Sequence, residues 1–458
     1  MDTQRLILLV IFSFSIVMLY EAWNREKLPP PVPAKAGVPD KPADVPTAAA
    51  PAAPAGGVPA SSGAVPGAQA VPGAVPVAAG TAAAPATQPI VVKTDLFTAE
   101  IDPVGGVITQ IALTQHRDAF DKTKPYLALQ RNAERTFVAQ AGLLGEGMPN
   151  HRTVYEVLPG PRELAPGEKK LEVKLAATAA TGDKVVQTLT FQRGSYLIDT
   201  TFDVTSAGGA PVAPYAYFQL TRDTKQAVPQ NSMAPAAYVG PVVYNATDHF
   251  KKVEPAEIDK LAADPARKAP YAKSTTDGWV GMLEHYFVSA WLPSDEKKLP
   301  REFYTRKLDG GLYAAGVIVP TAAAGAGASV TVPLFVGPQD QDLLKTVAAG
   351  LDLSVDYGIF TVLAAPLFWL LKWLHGLIGN WGWAIVAMTV MIKGAFYPLN
   401  AAAARSMGKM KLVAPKLKAL QEQYANDKQQ LQMKMMELYR QEKINPLGGC
   451  LPILVQIP

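Results

Sequence analysis

Cysteine is nearly absent: Cys450 is the only one in 458 residues. A lone thiol excludes an intramolecular disulfide and a cysteine-built zinc site. Histidine is scarce too. His116, His151, His249, His285 and His375 stand apart, with no pair at metal-ligand spacing, so no metal or other cofactor is expected. No Gly-rich phosphate loop or nucleophile elbow occurs. Asp199 and Asp203 share one strand face but read as solvated carboxylates rather than a catalytic pair. No enzymatic chemistry is expected. Charge is not one-sided either: 43 Lys and Arg stand against 39 Asp and Glu, and a net +4 does not point to DNA.

What is present is unevenly spread. Apolar residues concentrate in Leu6–Tyr20, Ile359–Leu399 and Leu451–Pro458. The first run follows Arg5 and precedes Trp23, Arg25 and Lys27, without the small-x-small site of a cleaved leader. Residues 1–28 therefore read as an uncleaved membrane anchor rather than a signal peptide. Residues 29–89 are almost entirely Pro, Ala, Gly and Val. They lack the large side chains that offset chain entropy, and a disordered tether is expected. A Pro-rich ligand is the alternative, but no basic residue sits in a PxxP frame.

From 90 to 338 short alternating runs, such as Leu171–Leu175, Val185–Phe191 and Tyr196–Val204, are divided by Gly, Pro and Asp turns. One large β-sandwich is expected. Within it, Trp279, Tyr286, Phe287 and Trp291 crowd one segment, as core packing or, less favoured, a binding platform.

The second apolar block divides at Gly379-Asn380. Trp381–Leu399 is followed by Arg405, Lys409, Lys411, Lys416 and Lys418 with no acid before Glu422, so that end is cytoplasmic by the positive-inside rule. Residues 381–399 form the expected second span. In Ile359–Ile378, Thr361, Ala365, Lys372, His375, Gly376 and Gly379 make one weaker stripe. That pattern suits an interfacial helix within a linker region, 339–380, although a hydropathy window alone favours a span. Residues 400–447 then form a cytoplasmic helical hairpin. Its seams are Met410, Val413, Leu417, Leu420 and Tyr424, then Leu431, Met435 and Leu438. The hairpin is basic, with nine Lys and Arg against four Asp and Glu from 405 to 443. Anionic lipid and ribosomal RNA or an acidic partner are equally consistent with it.

Lys393 stands alone in the second span, ~9 Å from its inner end at 1.5 Å per residue. A mid-span lysine costs about 2.5–3.5 kcal/mol, less near the edge. Snorkelling relieves that cost. Thr389 and Tyr397, one turn to either side, give Lys393 a polar-edged face that favours a water-filled cavity instead.

Several stretches carry a resemblance: LDLSVDYG (351–358), PLFWLLKWLHGLIGNWGW (366–383), MIKGAFYPL (391–399), SMGKMKLVAPKL (406–417) and NPLGGCLPILVQIP (445–458). With DGWVGMLEHYFVSAWLP (277–293) and LFVGPQDQDLL (334–344), they closely resemble the YidC membrane protein insertase family. The resemblance implies a multi-pass inner-membrane protein with a cytoplasmic N-terminus, a periplasmic all-β domain and an α-helical membrane core. It implies a hydrophilic groove, open to the cytoplasm and lipid, whose positive residue attracts the acidic exported segment of a client. Lys393 falls where the family commonly has arginine, and Thr389 matches a groove position. Lysine keeps the charge but loses the planar fork. Implied partners are nascent membrane proteins, the Sec translocon and the ribosome. Residues 448–458 read as the start of a third span: nine residues of helix reach only ~14 Å of a ~30 Å hydrocarbon core. The chain is therefore expected to be the front part of a longer protein. The alternative function is a membrane-tethered periplasmic module binding carbohydrate or lipid, for which neither Lys393 nor a basic hairpin is needed.

Overall fold

The computed structural model describes residues 88–441, except 119–120, 210–211, 225–237, 265, 297, 325–326, 358–360 and 425–427. The expected anchor, all but the end of the tether, and the start of the third span lie outside the described residues. The chain divides into a β-rich unit ending at Val355 and a helical unit from Asp356 onward.

The β-rich unit starts with β1 (Ile90–Lys93), β2 (Phe97–Asp102), β3 (Val107–Arg117), β4 (Pro125–Arg131) and β5 (Thr136–Leu144). Next come β6 (Glu156–Val157), β7 (Lys170–Thr178), β8 (Lys184–Gln192), β9 (Leu197–Thr205) and β10 (Tyr215–Arg222). After β11 (Gly240–Asn245) and β12 (His249–Lys252), helix α1 (Pro255–Ala263) interrupts the strands. The remainder are β13 (Ser274–Thr275), β14 (Trp279–Glu284), β15 (Phe287–Trp291), β16 (Arg301–Leu308), β17 (Leu312–Pro320), β18 (Ala322–Ala324) and β19 (Gly327–Pro338).

They build two sheets, a nine-stranded one in the order β1-β2-β3-β4-β5-β10-β17-β16-β13 and a ten-stranded one running β12-β11-β14-β15-β19-β9-β8-β7-β6, with β18 on β19. The paired strands are antiparallel, and this is the large sandwich that the alternating runs point to. In β8 the buried positions Val185, Gln187, Leu189 and Phe191 alternate with more exposed ones, as a sheet with one wet face requires. β14 is different: all six residues are buried, so no alternation marks it. Phe97, Phe191, Phe202, Phe218, Trp291, Phe303 and Phe335 fill the core.

The packed core continues past Pro338, where the sequence places the end of the domain. Helix α2 (Gln341–Val347) starts at Asp340, whose carboxylate accepts from the amides of Asp342 and Leu343. Leu344 and Leu351 are buried, and the Trp279 indole donates to the Ala349 carbonyl at 3.0 Å. Gly350, at φ +71°, lies against the Tyr244 ring, where any Cβ would clash.

The helical unit comprises α3 (Thr361–Ile378), α4 (Trp381–Ala395), α5 (Tyr397–Gln423) and α6 (Lys428–Gln441). Gly379, at φ +71°, reverses the chain after α3. Asn380 caps α4 by accepting from the Trp383 amide at 3.2 Å. The sequence extends the second span to Leu399, whereas α4 stops at Ala395. Pro398 has no N–H for the Gly394 carbonyl, so it ends the ladder and sits in the first turn of α5 instead, across a 59° bend. Among the described residues α3 is long and apolar enough to cross a membrane, and the bent pair α4–α5 passes the same test jointly. Val362, Trp369, Leu377, Trp383 and Val390 are exposed along α3 and α4. Helices that present such residues outward suit lipid rather than water.

Candidate functional site

Lys393 and Thr389 lie one turn apart on α4, both exposed. The Thr389 hydroxyl donates to the Ile385 carbonyl at 2.8 Å, which satisfies it within its own helix. Tyr397, also exposed, is the first residue of α5. The bend therefore removes the simple i+4 relation that puts it beside Lys393 in a continuous helix. Two of the three proposed groove residues share one helical face; the third stands across the break. Among the described residues no ion pair reaches Lys393.

The five cations Arg405, Lys409, Lys411, Lys416 and Lys418 are all exposed on α5. Arg405 folds back onto the Ala401 carbonyl at 3.2 Å, and Lys418 reaches Glu422 at 3.9 Å. Exposed pairs of this kind contribute under about 1 kcal/mol, so the surface stays electrostatically available. Ala403 and Val413 are buried, while Met410, Leu417, Leu420 and Tyr424 are half-buried, as are Leu431, Met435 and Leu438 of α6. The two apolar seams are those the heptad spacing marks.

On α3, Lys372 is half-buried with its ammonium 5.9 Å from the Phe368 ring centre, a cation–π distance. His375 stacks on Trp381, ring centres 3.8 Å apart and planes 11° apart. That stack fastens the end of α3 to the start of α4.

The crowded aromatic segment resolves mostly into packing. Trp279 and Trp291 are buried, and Phe287 stacks on Tyr126 at 3.9 Å. Tyr286, at 69% exposure, is the exception. Asp199 and Asp203 accept hydrogen bonds from Gln192 and Ser329 at the sheet surface, without facing a shared site. Among the described residues no cluster of three potential metal ligands forms.

The most elaborate polar site is one the sequence does not single out. Glu284 is buried at the end of β14 and forms ion pairs with Arg135 and with Arg222, the latter at 3.3 Å. It also accepts from the Tyr126 hydroxyl at 2.9 Å. Arg222 lies 5.1 Å from the Phe137 ring centre. Burial pushes the Arg222 guanidinium down to about 10 and the Tyr126 hydroxyl up to about 12. The cluster pins β4, β5 and β10 of one sheet to β14 of the other. Its signal in the sequence is a single acid, Glu284, inside an otherwise apolar run; the arginines lie too far along the chain to be paired with it by inspection.

A sandwich joined to helices with lipid-suited faces and a basic hairpin defines a membrane-bound protein with a large domain outside the bilayer. The family models identify it further. The YidC periplasmic domain model matches residues 89–370, and the 60Kd inner membrane protein model matches residues 373–458. The membrane protein insertase YidC of Aromatoleum aromaticum is 44% identical over all of this chain and 80% of its own length. Those of Nitrosospira multiformis and Dechloromonas aromatica are 44% and 45% identical, each over all of this chain and 79% of their own length. The chain belongs to the YidC membrane protein insertase family, inner-membrane proteins with a periplasmic domain. A solved galactose mutarotase related enzyme from Lactobacillus acidophilus covers 55% of this chain and 97% of its own, at 8% identity and a TM-score of 0.34, too low to bear on fold or function.

Proposed function

We propose that this protein inserts and folds integral membrane proteins in the bacterial inner membrane, with nascent membrane proteins as its clients, alone or beside the Sec translocon. It is not an enzyme: its work is recognition and release. The observation that carries the reading is Lys393, a lone cation on an apolar helix, one turn from Thr389. A fixed positive charge in a groove of low dielectric attracts a client's acidic exported segment more strongly than the same charge in bulk water. The client's apolar helix then passes into lipid along α3 and α4, whose exposed side chains are already suited to it.

In this reading the N-terminus is cytoplasmic, the sandwich is periplasmic, and α3 lies on the periplasmic surface with Lys372 and His375 at the headgroups. The span beginning with α4 leads to the cytoplasmic hairpin. The basic face of α5 meets anionic lipid and the ribosome. In this reading Tyr397, across the bend from Lys393, lines the inner end of the groove.

Insertion of an acidic-tailed client, scored by protease protection in cells depleted of their own insertase, tests the assignment. Lys393→Arg retains insertion, Lys393→Ala loses much of it, and Lys393→Glu loses most. The defect is largest for acidic tails and small for neutral ones. Wild-type insertion by Lys393→Glu at equal expression assigns Lys393 to snorkelling and ends the groove-charge reading.

A further inference from the structure

We infer that one face of α5 lies on an anionic bilayer surface, with Leu412 as its apolar wedge. Two faces separate on this helix by their spacing. Ala403, Met410, Val413 and Leu417 make the apolar seam, buried or half-buried. About a quarter turn around the helix, Arg405, Lys409, Leu412, Lys416 and Ala419 recur at alternate steps of four and three, which keeps them on one side. All five are exposed, and the stripe holds three cations and no acid. Leu412, in the middle of it, is 79% exposed.

That leucine decides between partners for the basic face. The phosphates of RNA are bound by lysine and arginine, and an aliphatic side chain between them adds nothing. A helix lying on lipid uses both kinds of residue. Its leucine enters the boundary of the acyl chains, while flanking lysines lay their stems along that layer and keep their ammonium groups at the anionic headgroups. Lys409 and Lys416 stand one turn to either side of Leu412, as this arrangement requires. Pro415 limits the depth. It has no N–H for the Lys411 carbonyl, a polar group that belongs at headgroup level rather than in hydrocarbon.

The bend supplies the orientation. α4 and α5 meet at 59°. A spanning helix is tilted by about 20° on average. Added to the bend, that tilt carries α5 to about 80° from the membrane normal, nearly flat on the surface. The inference rests on the reading of α4 as a span and α5 as its cytoplasmic continuation, and not on the role of Lys393.

The test places the purified chain, carrying Cys450→Ala, in nanodiscs of phosphatidylcholine alone or mixed with phosphatidylglycerol. A nitroxide is attached at Ala419→Cys, on the stripe, or at Gln421→Cys, nearly opposite on the helix. Its accessibility to oxygen relative to a water-soluble nickel chelate reports immersion. At 419 this ratio is expected to rise several-fold when phosphatidylglycerol is present, and at 421 to stay unchanged. Raising salt from about 0.1 M to 1 M shortens the screening length from about 10 to 3 Å and reverses the rise. Lys409→Glu with Lys416→Glu abolishes it, and Leu412→Gln reduces it at unchanged circular dichroism. Lys393→Glu leaves it intact, so failure of the groove-charge reading and failure of this one are separate results. The proposal is overturned if position 419 is equally water-exposed in both lipids, if 419 and 421 rise together, or if Leu412→Gln has no effect. A nitroxide at 419 that stays in water in both lipids and is immobilised by added ribosomes gives the face to RNA instead.

Discussion

Two tryptophans mark the difference between the halves of this molecule. Trp291 in the sandwich is 1% exposed, and Trp383 at the start of α4 is 67% exposed. The sandwich hides its large apolar side chains between two sheets and surrounds its buried charge with partners, as Glu284 between two arginines and a tyrosine shows. The helical unit displays its apolar side chains and keeps its cations on the outside. Each arrangement is sensible in its own solvent. Water penalises exposed tryptophan and accepts exposed lysine, whereas hydrocarbon does the reverse. Lys393 is where the two rules collide, a charge on a helix otherwise built for lipid, and that collision is why function is sought there rather than in the sandwich.

The largest effect expected from pressing this comparison concerns where the water-soluble half ends. A chain covering residues 88–355 should fold alone, because Leu344 and Leu351 complete its core. Stopping at Pro338 removes both leucines and uncovers Trp279 and Tyr244. At about 2 kcal/mol for each buried leucine, plus the lost indole bond, the shorter form is less stable by roughly 5 kcal/mol. Urea unfolding followed by tryptophan fluorescence measures the gap. Equal midpoints for the two forms would place the linker outside the cooperative unit.

Next in size is the buried charge. Glu284→Gln leaves Arg135 and Arg222 buried without their carboxylate, and breaking such a group costs about 3–5 kcal/mol. Tyr126→Phe removes one charge-assisted hydrogen bond from the same cluster and costs about 1.5–3 kcal/mol. Thermal unfolding of the 88–355 domain ranks the two. If Glu284→Gln is the milder change, the cluster does not hold the sheets together.

The same comparison explains what could be read from the sequence. Strands such as β8 and β9 are legible because one face is wet, so their residues alternate. β14 is not, because both its faces are covered. The Glu284 cluster joins residues 149 positions apart in the pair with Arg135, and no local pattern encodes such a meeting. The hairpin seams were legible because helical spacing repeats over several turns. The end of α4 was less so: Pro398 is visible as a breaker, but a continuous apolar run conceals how early its effect begins. Lys393 stood out for the opposite reason, as one charge in a run that excludes charge.

The smallest expected effect is a pH dependence confined to the sandwich. Burial holds the His116 imidazole below its ordinary value of 6.5. Its half-buried ring meets Phe287 edge-on at 5.3 Å near the end of β3. Above pH 6.5 the imidazole is neutral in both the folded and unfolded chains and stability does not depend on it. As pH falls below 6.5 the unfolded chain takes the proton first, so stability declines until the folded value is reached. Carboxylates held low by their partners, such as Glu172 and Glu257, lose their contribution only below about pH 4.5, beneath this window. Thermal unfolding of the 88–355 domain at pH 7.5 and pH 5.5 should therefore show a modest loss at the lower pH, and His116→Phe should reduce that loss. An undiminished difference in the variant would assign the dependence to another group. In the helical unit His375 instead stacks its ring on Trp381 at a helix junction, and the comparison between the two halves thus extends to how each of them uses an imidazole.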